Sequence, residues 1–163
     1  MNNEILRFFE EKEADFKGRM YSDIMNMSDY QLEIVHDYIQ VLFPIPEPSR
    51  FNNNSPILTE EEAALIRDST IARTSFIKAA NKMYGFYSKY NHWCRYEDHN
   101  LLRITRIIRS IALILGIEYA NKAYEKFIEL CTKNDFEVDQ ETLNYWILAK
   151  SGIALHITNG DNV

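Results

Sequence analysis

Between Asn100 and Leu115 the chain reads NLLRITRIIRSIALIL, and on a helix turning about 100° per residue its apolar and cationic side chains do not part cleanly. Ile104, Ile107, Ile108, Ile111, Ile114 and Leu115 form one wide apolar face. Arg103 falls at its edge, while Leu102 and Leu113 share the back with Arg106 and Arg109. A helix with apolar residues on more than one side needs neighbours on both, so this one belongs in the middle of a helical domain. Few other folds accommodate it.

The same period runs through the rest of the chain. Ile5, Phe8, Phe9 and Phe16 share a face of a first helix that Gly18 stops. Ser28 caps a second helix through Leu32, Val35, Tyr38, Ile39 and Leu42, ended by Pro44. All four prolines lie in the connection from Pro44 to Pro56, too long for a simple turn and of a length that is often packed and functional. Thr59 and Glu62 form a capping-box signature for a helix reaching toward Tyr87, weakened at Asp68-Ser69-Thr70. Asp98 and Asp139 are caps for the arginine helix and the last helix, with Glu118–Lys133 helical between them and Gly116 and Gly152 as stops. No alternating run is long enough for a sheet. The prediction is all-α, about six helices around the arginine helix. The N-terminal helix (1–17) joins the body (18–152) in one domain, and the end, 153–163, frays.

A formal charge of -6 disfavours nucleic acid and anionic membranes as partners. The opening residues lack a secretion signal, and no apolar run approaches the roughly 20 residues needed to span a bilayer. Cys94 and Cys131 stand alone in sequence, so neither a CxxC site nor a disulfide framework is expected, and a reducing cytoplasm is the simpler setting.

A partly buried guanidinium keeps its charge and needs partners, which leaves two readings of the arginine helix. The favoured one is a structural polar network of His36, Asp37, Arg103 and Arg106. The sharper one is a cradle for a carboxylate or phosphate, formed by Arg103 and Arg106 with His99 near the free N–H groups of the helix start. His36 and Asp37 as helix neighbours would point about 100° apart, which argues against a catalytic dyad. Histidines at 36, 92, 99 and 156 have no metal-ligand spacing. The cluster Tyr84, Phe86, Tyr87, Tyr90, Trp93 and Tyr96 is either a recognition surface or packing. No GxSxG setting, phosphate loop or dinucleotide fingerprint is present, so neither catalysis nor a cofactor is expected.

Two words of the sequence are specific: HDYIQVLFP at 36–44, continued by PEPSRFN and SPILT, and HNLLRITRIIRS at 99–110. Together they resemble the opioid growth factor receptor conserved region, over about Gly18 to Ala149, with Val41 where the family pattern has tryptophan. The resemblance implies a receptor-like module binding an enkephalin-type opioid peptide, and members at nuclear or membrane-associated locations. It brings no catalytic residues. The chain reads as a compact, stand-alone version of that region.

The leading expectation is therefore a soluble all-α module for a peptide or protein partner, received near the Pro44–Pro56 connection and the aromatic segment. Candidate contacts are Arg50, Tyr87, Trp93, His99, Arg103 and Arg106. The alternatives are a sensor or small enzyme for an anionic metabolite at Arg103 and Arg106, and a purely structural interaction domain.

Overall fold

The structure is a computed structural model describing residues 2–49 and 51–153. It is all-α, with nine helices among the described residues: α1 (Glu4–Phe9), α2 (Tyr21–Met25), α3 (Asp29–Ile34), α4 (Ile39–Leu42), α5 (Glu60–Asp68), α6 (Thr70–Lys89), α7 (His99–Ile114), α8 (Ile117–Lys133) and α9 (Gln140–Lys150). None is long and apolar enough to cross a membrane. Contacts divide the chain into two compact units, Met1–Lys82 and Met83–Val163.

In the first unit the helices are shorter than periodicity suggests. The first stops at Phe9 because Glu11 turns into the left-handed region at φ 58°, so Phe16 lies outside it. The predicted second helix divides into α3 and α4 because Val35 is extended at ψ 127°, placing His36 and Asp37 between helices. Ser28 caps α3 as expected: its Oγ accepts from the N–H of Gln31, whose side chain returns the bond. The weak point at Ser69 is a real break between α5 and α6, with ψ 116°.

Aromatic edges hold this unit together. Phe9 meets Phe8, Tyr21 and Phe76 at centroid distances of 5.5, 6.0 and 5.7 Å, and Phe43 meets Phe76 at 5.9 Å. All but the tilted Phe9–Tyr21 pair are edge-on, and such contacts add about 0.5–1.5 kcal/mol each beyond the area they bury. The proline connection is closed at its base, where Ile45 bridges Ile57 and the N–H of Leu58 donates to the Ile45 carbonyl at 3.1 Å. The asparagine run forms a turn near its far end: Asn52 accepts from the N–H of Asn54 through Oδ1 and of Ser55 through its carbonyl, both at 3.1 Å.

In the second unit α7 packs against both α8 and α9, the central position its two-sided apolarity demands. Asp98 and Asp139 cap α7 and α9, and Gly116 makes the short link to α8 at φ 105°, where a Cβ is strained. Trp93, Trp146, Tyr87 and Phe127 form a fully packed cluster through Tyr87–Trp93 at 5.4 Å, Tyr87–Phe127 at 5.9 Å and Phe127–Trp146 at 6.3 Å.

Candidate functional site

A cleft of about 280 Å³ opens in the first unit. Phe8, Phe16, Val41 and Pro56 supply its apolar surface, and Glu4, Glu13 and Asp15 its charge. The turn after α1 brings Phe16 to this wall instead of the helix face. The closed proline connection contributes Asn54 and Pro56. Between them, the Ser55 hydroxyl is buried and finds no hydrogen-bond partner among the described residues.

The three carboxylates are not equally available. Asp15 is committed: Oδ1 accepts from the N–H groups of Lys17 and Arg19, and Oδ2 from Arg19 Nε at 2.8 Å. Arg19 also reaches Asp37 Oδ1 at 2.7 Å. Burial works against the Arg19 charge, but its hydrogen bonds to Asp15 and Asp37 outweigh that and raise its pKa. Glu13 accepts from Arg7 Nε at 2.8 Å with both side chains about half exposed, a pairing worth about 0–1 kcal/mol. Among the described residues, Glu4 accepts a bond from an amide, Asn2 Nδ2 at 3.2 Å.

Behind Glu4 lies Glu62, 4% exposed. Its backbone N–H is held by Thr59 Oγ1, as the capping signature predicts, but its carboxylate does not close the box. Instead Oε1 accepts from the N–H groups of Ile5 and Leu6 at 2.8 and 3.1 Å, satisfying two free donors of α1's first turn from 56–57 residues away. Burial raises the Glu62 pKa, those two hydrogen bonds oppose the rise, and the charge of Glu4 adds to it.

The other sequence-derived candidates lie elsewhere. Arg103, Arg106 and Arg109 are buried, at 5%, 1% and 3% exposure. Arg103 Nη1 donates to Asn100 Oδ1 at 3.3 Å, the same oxygen that accepts from the Tyr87 hydroxyl at 3.0 Å, while Asn100 Nδ2 donates to Asp98 Oδ1. Arg95 pairs with the other Asp98 oxygen at 3.0 Å, and Arg109 donates to the Ile153 carbonyl at 2.8 Å. Trp93 is buried, its indole N–H shared between the carbonyls of Tyr87 and Tyr90. His99 is partly exposed, with Nδ1 3.8 Å from Asp98 Oδ1. Asp37, expected beside Arg103 and Arg106, has Arg19 and Lys17 as its ion-pair partners, while His36 is exposed. Arg50 lies outside the described residues.

A second cleft, of about 260 Å³, lies between the start of α7 and α9, lined by Glu97, Asp98, Asp139 and Glu141 with Tyr96 and Tyr145. Much of its acid is structural. Asp98 and Asp139 cap helices, and Glu141 accepts from the Tyr145 hydroxyl at 3.0 Å. Neither cleft is lined by Arg103, Arg106, Tyr87 or Trp93.

Comparison with known proteins places the first cleft in context. The family model of the opioid growth factor receptor (OGFr) conserved region matches residues 2–91, more than half of the chain. The chain belongs to that family. The match includes the N-terminal helix, which the resemblance by sequence words left out, and every residue named at the first cleft. It ends before α7. Residues 99–110 instead fall within the span that aligns with relatives named opioid growth factor receptor. That of Rattus norvegicus is 31% identical over 81% of this chain, a span that cannot omit residues 99–110. Those of Homo sapiens and Mus musculus are 30% and 31% identical over 72% of this chain. The chain spans only 27%, 20% and 22% of these three relatives, respectively. No solved structure matches.

Sequence reasoning missed Glu4, Phe8, Glu13 and Asp15 as cleft residues. Two signals pointed there: a proline connection too long to be a turn, and Val41 where the OGFr pattern has a larger residue.

Proposed function

We propose that this OGFr-family chain is a non-catalytic binding module that receives a peptide, or a short segment of a protein partner, in the cleft of its first unit. The carrying observation is the cleft's position: an apolar surface with acidic groups, walled by the closed proline connection, within the residues that match the family. At about 280 Å³ it is slightly below the roughly 300–1,000 Å³ of small-molecule sites, a size suited to one anchoring side chain. The relatives' receptor names support ligand binding, and an opioid peptide is the ligand class those names suggest. A cytoplasmic setting accords with the free thiols of Cys94 and Cys131.

Titration of the isotope-labelled chain with an enkephalin-type peptide tests the reading. Shifts of the amides of Glu13, Ala14 and Asn54 support it; unchanged positions there, with the rest of the spectrum native, count against the opioid form.

The arginine helix is better read as structural than as an anion cradle. What supports this is the burial of Arg103 and Arg106 together with the chain of bonds through Asn100, Asp98 and Tyr87. Arg103→Ala should lower stability by about 2–4 kcal/mol by leaving Asn100 short of a partner and opening space. A rise in the parent's melting temperature with phosphate or nucleotides, lost in that variant, would restore the anion reading.

A further inference from the structure

We infer that the occupant of the first-unit cleft is a basic segment anchored by a single arginine side chain, its stem against Phe8, Phe16, Val41 and Pro56 and its guanidinium at Glu4 and Glu13. This rests on the binding reading above and adds the chemistry of the ligand.

The cleft combines apolar walls with carboxylates and has no lysine or arginine among its lining residues. An acidic anchor would meet like charge at every charged residue of the lining. A purely apolar anchor would fill the walls but offer no counter-charge to the exposed carboxylates of Glu4 and Glu13. A side chain with an apolar stem and a charged head satisfies both halves.

The available charge sits at the right groups. Asp15 is consumed by Arg19 and two backbone donors, which leaves Glu4, bonded among the described residues to an amide, and Glu13, whose Arg7 partner is half exposed and readily exchanged. Glu62 lies behind Glu4 and deepens the negative field. Arginine suits this better than lysine because its planar, five-donor head reaches two carboxylates at once and stacks on an aromatic ring such as Phe16.

The test uses the full 163-residue chain, isotope-labelled, and an acetylated, amidated tripeptide with arginine at its centre. The control peptide carries citrulline there, of nearly the same shape but uncharged. The arginine peptide should shift the amides of Glu4, Ala14, Phe16 and Asn54 and bind at least about tenfold tighter than the citrulline peptide, a ratio worth about 1.4 kcal/mol. The double variant Glu4→Gln/Glu13→Gln should abolish that ratio. Ala14→Trp, at an exposed lining position where the fold tolerates bulk, should block both peptides.

Equal affinity of the two peptides at these amides overturns the arginine anchor and leaves the binding reading standing. Shifts confined to Glu97 and Thr142 at the second cleft overturn its location. Silence toward both tripeptides while the enkephalin-type peptide still moves the cleft amides overturns the anchor alone. Silence toward all three overturns the binding reading with it.

Discussion

Replacing Glu62 tests the least expected contact in the first unit. The first-turn N–H groups of Ile5 and Leu6 have no partner within α1, and Asn3 at the N-cap makes no side-chain bond to them. Glu62 Oε1 accepts from both, and Ile5 is 2% exposed, which restricts water's ability to substitute. Glu62→Ala leaves one buried and one half-buried donor short, at about 1–3 kcal/mol each, partly offset by removing a buried charge. The expected net loss is about 2–4 kcal/mol. For a chain of this size that is a fall of about 5–15 °C in melting temperature. Glu62→Gln keeps an oxygen at the accepting position and should cost no more than about 1 kcal/mol. The two variants also separate acceptor from charge through pH. A carboxyl whose folded pKa is raised binds its proton more readily folded than unfolded. Its ionisation therefore costs stability, progressively, as pH rises from its ordinary 4.5 through the higher folded value, and nothing below that window. The parent should lose stability from this group across that range; both variants should lack that component. Urea unfolding followed by circular dichroism at several pH values between 4 and 7 measures it. A Gln variant as damaged as the Ala variant refutes the acceptor role, and an Ala variant indistinguishable from the parent refutes the contact.

Two glycines give opposite predictions from the same substitution. At Gly116, φ 105° and ψ 167° lie in territory essentially reserved for glycine, and a Cβ there meets nothing within 4 Å, so Gly116→Ala should cost about 1–3 kcal/mol through the backbone alone. Gly85, inside α6 and equally uncrowded, should gain about 0.4–1 kcal/mol on conversion to alanine; thermal melts of both variants check the contrast. Burial, reinforced by Asp98, pushes the Cys94 thiol up to about 11, and burial, reinforced by Cys94, pushes Cys131 up to about 12. Alkylation by iodoacetamide at pH 8 should therefore be much slower in the native protein than in urea, and mass spectrometry that finds equal rates refutes the burial of these thiols. We also propose that the whole chain unfolds as one domain: urea midpoints read at Ile24 and at Trp146 should coincide, and separate midpoints would mark independently folding units.

The sequence was clearest where one residue fixes a local geometry. Ser28, Asp98 and Asp139 cap their helices, Gly116 holds its positive φ, and the break at Ser69 occurs, because each depends on a few neighbours along the chain. The position of α7 followed from having apolar residues on two sides. What periodicity overlooked depended on distant partners. Phe16 fits the helical spacing of Phe8 and Phe9, but the turn at Glu11 carries it to the cleft instead. Glu62 matches a capping box, but two donors more than fifty residues away claim its carboxylate. Charge offers Asp37 as a partner for the arginine helix, and periodicity gives no hint of its shortest ion pair, with Arg19. Cleft residues stayed hidden because a concave surface is made by segments that share no period.

The buried indoles of Trp93 and Trp146 have a consequence for how ligands are sought. They are the chain's only tryptophans, and both belong to the second unit, where their emission reports the surroundings of Tyr87, Phe127 and Leu101. The first 82 residues contain none, and no tryptophan lines the cleft proposed to bind. Fluorescence quenching is thus poorly matched to the site: a silent titration would describe the placement of the chromophores before it described affinity. Phe16→Trp would place an indicator at the cleft wall and make occupancy visible to light.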